Sequence, residues 1–84
     1  MVQATTLAQY IINKSIQDNK PISNLQLQKI LYFLQVQYYR CFGSLLIPDD
    51  FCAWQYGPVI PEIYYKYCGY GGFKILSKSS IDGE

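Results

Sequence analysis

The chain has 84 residues, 50% of them hydrophobic and 17% aromatic, with 15% charged and a formal net charge of +1. Low charge with many aromatics excludes intrinsic disorder, and 7 basic against 6 acidic residues leave no cationic stripe of the kind phosphate backbones attract. There is no histidine, so general acid–base chemistry near neutral pH lacks its usual carrier. A core built from so short a chain also hides only part of this apolar surface.

The opening MVQATT has neither the positive charge nor the apolar run of a signal peptide. No apolar stretch approaches the length of a membrane span, so the expectation is a cytoplasmic chain. A first helix is predicted over 6–18. Ala4, Leu7, Ala8, Ile11, Ile12 and Ser15 share one side at helical spacing, and Gln9, Asn13 and Gln17 the other. Asn19-Lys20-Pro21 ends it, because proline disfavours helical geometry in the residue before it.

The second helix, predicted over 24–41, has the clearest start. Ser23 as N-cap with Gln26 three residues on forms a capping box, and Ile22 and Leu27 form the hydrophobic staple around it. Gly43 closes the helix. Leu27, Ile30, Leu31, Leu34 and Tyr38 gather on one face at about 100° per residue. Leu25, Tyr32, Phe33, Val36 and Tyr39 gather on the opposite face, with Lys29 and Arg40 among them. Gln28 and Gln35 run along one flank, Gln26 and Gln37 along the other. A helix apolar on two opposed sides is packed on two sides. The first helix supplies one layer; the third helix, missing chain or a partner supplies the second.

Between Ser44 and Pro61 the pattern is irregular. Leu45–Ile47 and Cys52–Tyr56 are apolar enough to pair as two short strands around Pro48-Asp49-Asp50. Pro61 suits the first position of a third helix, predicted over 61–67, and Glu62 suits its positive end. Phe73–Leu76 reads as a short extended segment and 77–84 as a frayed tail. The fold class is therefore all-α: three helices, with room for a short two-stranded hairpin between the second and third.

Chemistry finds little support. Cys41, Cys52 and Cys68 form no C-x-x-C pair and have no histidine to complete a zinc shell, so they read as buried, reduced thiols. Asp49-Asp50 diverge in a turn, and Gly69-Tyr70-Gly71-Gly72 lacks the lysine of a phosphate loop. No catalytic, cofactor or metal residues are expected, and the chain is not read as an enzyme. The alternative is a small helix-turn-helix DNA-binding protein, with Asn24, Gln26 and Gln28 reading adenine. The near-neutral charge and the two apolar faces of the second helix weigh against nucleic acid.

Two stretches carry a family resemblance. Leu27-Gln28-Lys29-Ile30-Leu31-Tyr32-Phe33 and Ala53-Trp54-Gln55-Tyr56-Gly57-Pro58-Val59-Ile60-Pro61, with Tyr64 beyond, resemble the Panacea domain, a family of SocA-like antitoxins and phage-associated proteins. The lead-in Ile22-Ser23-Asn24-Leu25 and Ala8 with Ile11-Ile12 extend the likeness from about Ala4 to Leu76. The resemblance implies a mostly helical domain that neutralises a cognate toxin by binding it, in some members as an adaptor for a AAA+ protease. It implies no enzymatic activity. The family continues through further helices, so the resemblance also implies that residues 1–84 are one truncated domain, the N-terminal half of a larger helical fold.

The candidate partner-binding residues are Lys29, Tyr32, Phe33, Trp54, Tyr56 and Tyr64. Lys29 either stacks on its aromatic neighbours, snorkels to water or meets a partner's acid. Trp54 and Tyr56 point the same way if their segment is extended. Ser23, Gln26, Leu27, Leu31, Gly57, Pro58 and Pro61 read as structural. A third helix of about seven residues is too short to cover the second helix's outer stripe. Self-association as a homodimer, a protein partner, or the C-terminal half that the resemblance implies is the expected cover.

Overall fold

Local hydrogen bonding at Ser23 starts the longest element. In a computed structural model of the chain, which describes residues 1–76, the Gln26 N–H donates to Ser23 Oγ at 3.3 Å and the Ser23 N–H donates to Gln26 Oε1 at 2.9 Å. This capping box opens α2, Asn24–Phe42, which closes at Gly43 with φ 71°. A non-glycine residue is strained there, because its Cβ crowds the left-handed backbone. Helix α1, Ala4–Gln17, precedes it. Its end is a Schellman turn: Asn19 sits at φ 60°, its N–H donates to the Ile16 carbonyl, and that of Lys20 donates to the Ser15 carbonyl. Asn19 itself thus reverses the chain before Pro21 is reached.

The expected hairpin exists, with different strands. β1, Cys52–Trp54, pairs antiparallel with β2, Gly57–Val59, in the register Cys52↔Val59, Ala53↔Pro58 and Trp54↔Gly57. Leu45–Ile47 is not a strand; the Gln35 side chain of α2 and the Val2 N–H hold it instead. The turn therefore falls at Gln55-Tyr56, ahead of Gly57 at φ 113°. Pro58 is tolerated because a two-stranded ribbon needs little from its missing N–H. Helix α3, Pro61–Lys66, begins with proline at its first turn and runs into a short 3₁₀ turn, Cys68–Tyr70. Phe73–Leu76 is extended in part: Ser23 and Lys74 form an antiparallel bridge, and the Ile75 N–H donates to the Ile22 carbonyl at 2.8 Å. The expected fraying of 77–84 lies outside the described residues.

One core joins these elements. Ala4, Ala8 and Ile12 of α1 meet Leu27 and Leu31 of α2, with Ile47, Ile60, Ile63, Tyr67 and Ile75 closing around them. Removing such side chains from water is the main favourable term, roughly 1.5–3 kcal/mol for each large one. The outer face of α2 stays open, however: Phe33 is 60% exposed, Tyr39 56% and Tyr32 42%. Within the described chain, α2 is buried along one side, and Phe51 covers only part of the other at Tyr32. No helix among the described residues is long and apolar enough to cross a membrane.

Three glutamines overturn their expected positions. Gln9, assigned to the polar side of α1, is buried and accepts the Tyr67 O–H at 2.6 Å. Gln28 and Gln35, assigned to a flank of α2, are buried as well. Gln35 Oε1 accepts the Leu46 and Ile47 N–H groups at 2.9 and 3.1 Å, and its Nε2 donates to the Ile47 carbonyl at 2.9 Å. Gln28 Oε1 accepts the Ile60 N–H at 2.9 Å. The amides of Gln28 and Gln35 stand in for secondary structure, satisfying backbone groups that burial would otherwise strand at a cost of about 1–3 kcal/mol each.

Candidate protein-interaction surface

The entry to α3 is fixed from α2. Gln28 Nε2 donates to Asn24 Oδ1 at 3.1 Å, and Asn24 Nδ2 donates to the Tyr64 carbonyl at 2.9 Å. With Gln28 also holding the Ile60 N–H, both ends of the first turn of α3 are tied to one helix face. That arrangement sets Tyr64 against the hairpin. The rings of Trp54 and Tyr64 meet edge to face at 5.2 Å, and Tyr65 lies 5.8 Å from Trp54. Aromatic pairs favour this geometry through their quadrupoles.

Trp54, Gln55, Tyr56, Val59, Tyr64 and Leu25 line an open groove of about 360 Å³. A second depression of about 350 Å³ shares Leu25, Tyr56 and Tyr64 with it and reaches Ser23, Gly71 and Gly72. Trp54 ends β1 whereas Tyr56 sits in the turn, so strand alternation does not relate them. The turn brings both to the same groove. Tyr56 is 66% exposed, and no lining side chain carries charge at neutral pH.

Leu25 also begins the open face of α2. Along that face Tyr32 packs edge to face on Phe51 at 5.2 Å, while Lys29 and Phe33 are exposed. The six candidate partner-binding residues therefore fall in two adjoining patches. Trp54, Tyr56 and Tyr64 border the groove; Lys29, Tyr32 and Phe33 lie on the helix; Leu25 belongs to both. Leu25, placed by helical spacing on the outer stripe but not among the candidates, also lines the groove, and Tyr65 was missed because the second of two tyrosines carries no distinguishing pattern. Among the residues read as structural, Ser23 and Gln26 cap α2, Leu27 and Leu31 are in the core, Gly57 and Pro58 form β2, and Pro61 opens α3.

The chemistry of the remainder is spare. Burial, and then repulsion from Tyr70, push the Tyr67 phenol above its usual range. All three cysteines are free and exposed, against the expectation of buried thiols. They sit where the chain faces water: at the end of α2, in β1, and in the 3₁₀ turn. The amides expected to read bases are already engaged. Asn24 and Gln28 are buried, and Gln26 is occupied by the capping box and by Lys74.

Comparison with known proteins follows the same direction. The chain is 35% identical over 78 residues to Antitoxin SocA of Caulobacter vibrioides (strain NA1000 / CB15N), an alignment that covers 93% of this chain and 42% of that protein. The chain thus spans less than half the length of this curated relative. No solved structure matches it significantly. Residues 27–82 match the family described as Antitoxin SocA-like, Panacea domain, a span that takes in most of α2, the hairpin and α3. By that match the chain belongs to the SocA-like antitoxin family and carries its Panacea domain.

Proposed function

We propose that the chain is an antitoxin-like interaction module that binds a partner toxin and neutralises it sterically, with no covalent chemistry. One observation carries the reading: an uncharged aromatic groove, bordered by Trp54, Tyr56 and Tyr64, runs into an open apolar helix face. Contiguous exposed aromatics of this kind mark protein contact sites, and Trp and Tyr dominate the energetics of such contacts. The similarity to an antitoxin supplies the class of partner. The reading extends to an adaptor role that hands the toxin to a AAA+ protease, to a phage or prophage setting, and to the cytoplasm.

The test is growth rescue. A toxin gene neighbouring this one is expressed with and without the chain. Rescue is expected from the native chain and is expected to fail with Trp54→Ala and Tyr56→Ala together. Persistent arrest while the native chain accumulates in folded form would refute the reading. A duplex titration at low salt separates the DNA alternative: a steep salt slope there would favour it.

A further inference from the structure

We infer that the outer face of α2 receives an amphipathic helix of the partner, whose apolar anchors are flanked by carboxylates placed for Lys29 and Arg40. This rests on the antitoxin-like reading above and names the chemistry of its partner. The face repeats at helical spacing, with Leu25, Tyr32, Val36 and Tyr39 along it and Phe33 at its edge. Ridges at that spacing accept another helix in the grooves between them. From Leu25 to Tyr39 the stripe is about 21 Å long, which suits a helix of about four turns.

Charge selects the occupant. Lys29 and Arg40 are eleven residues apart, which places them within about 20° of one another and about 16 Å apart along the axis. Both are exposed, and among the described residues neither has an ion-pair partner; the ion pair present is Lys14–Asp18 on α1. Helix α2 contains no Asp or Glu. A second copy of the chain fits this face poorly. Antiparallel pairing about the centre of the stripe, Tyr32, sets Lys29 against Gln35 and Arg40 against Asn24, so neither meets a carboxylate, and parallel pairing sets each cation against itself. A partner with acids at matching positions turns both repulsions into attractions, which set register and suppress wrong pairings.

The test uses two designed, fluorescently labelled helical peptides with the same Leu and Phe stripe. One carries Glu at two flanking positions eleven residues apart, and its twin carries Lys there. Anisotropy titrations against the full chain should show the Glu peptide binding roughly tenfold tighter at low salt, with the advantage shrinking as salt rises. The double variant K29E/R40E, exposed at both positions, should stay folded, losing only the favourable charge of Arg40 at the helix end, and reverse the preference. Phe33→Ser should weaken both peptides. Equal binding of the two peptides, binding of neither, or sedimentation of the chain as a dimer through this face would each overturn the inference. If neither peptide binds while the native chain still rescues growth, the docking mode falls and the antitoxin reading stands. If peptide discrimination holds while rescue fails, the reverse follows.

Discussion

Tyr67 and Gln9, 58 residues apart in sequence, share a buried hydrogen bond of 2.6 Å that ties the end of α3 to the middle of α1. Gln9 in turn donates to Asn13 Oδ1 at 3.0 Å, so the phenol closes a short polar chain inside an otherwise apolar contact. Tyr67→Phe keeps the ring and leaves Gln9 Oε1 without its donor. The expected loss is about 1–2 kcal/mol at neutral pH, read from the urea midpoint. An unchanged midpoint would show that the bond contributes nothing net.

The same residue predicts an alkaline limit. Its folded pKa is raised above the usual 10.0, first by burial and then by Tyr70, so the fold favours the neutral phenol. That contribution is complete below pH 10.0 and is lost as pH rises through the higher folded value. Stability should fall above pH 10.0, and Tyr67→Phe should flatten part of that fall while other tyrosines still titrate. Parallel declines in the two proteins would refute the assignment.

Gln35 should be worth more than its surface position on a helical wheel implies. Gln35→Met preserves the length but strands two N–H groups and one carbonyl of Leu46 and Ile47. The expected cost is roughly 3 kcal/mol, visible as a large drop in melting temperature. A drop no larger than that of an exposed glutamine, Gln17 for example, would mean that water replaces the amide.

Gly57 separates backbone strain from steric clash. A Cβ built there meets no heavy atom within 4 Å, yet φ is +113°. Gly57→Ala and Gly57→Val should therefore cost similar amounts, about 1–3 kcal/mol each, because strain and not space sets the penalty. A valine variant far worse than alanine in thermal melts would point to crowding instead.

Tyr56 and Trp54 border one groove but differ in what they support. Tyr56 is 66% exposed and in the turn, so Tyr56→Ala should change stability by less than about 0.5 kcal/mol while weakening partner capture. Trp54 packs against Tyr64 and Tyr65, and Trp54→Ala should both destabilise and weaken binding. Calorimetry alongside a binding assay distinguishes them, and equal melting losses would sink the distinction.

Local chemistry made much of this legible from residues alone. Ser23 and Gln26 announce α2 because a capping box involves only neighbours, and Gly43 and Pro61 mark helix ends for equally local reasons. The mainly helical class with a small hairpin could be read in the same way. The buried glutamines could not. Gln9, Gln28 and Gln35 find their partners 58, 32 and 11 to 12 residues away, and helical spacing alone treats an amide as polar. The strand assignment failed for a related reason. Leu46 and Ile47 are apolar like strand residues, yet both their N–H groups are taken by one side chain. The groove aromatics stood out as types, whereas their convergence depends on a turn whose register only the folded chain defines.

Gln35 grips the peptide units of residues 46 and 47 rather than their side chains, of which that of Ile47 lies in the core. Gln28 treats residue 60 in the same way. A connection held by its main chain can change its outward-facing chemistry without losing its course. The exposed positions beside these anchors, Leu45 and Pro48 among them, are consequently free to be rewritten for a new binding partner while the helical frame beneath them stays the same.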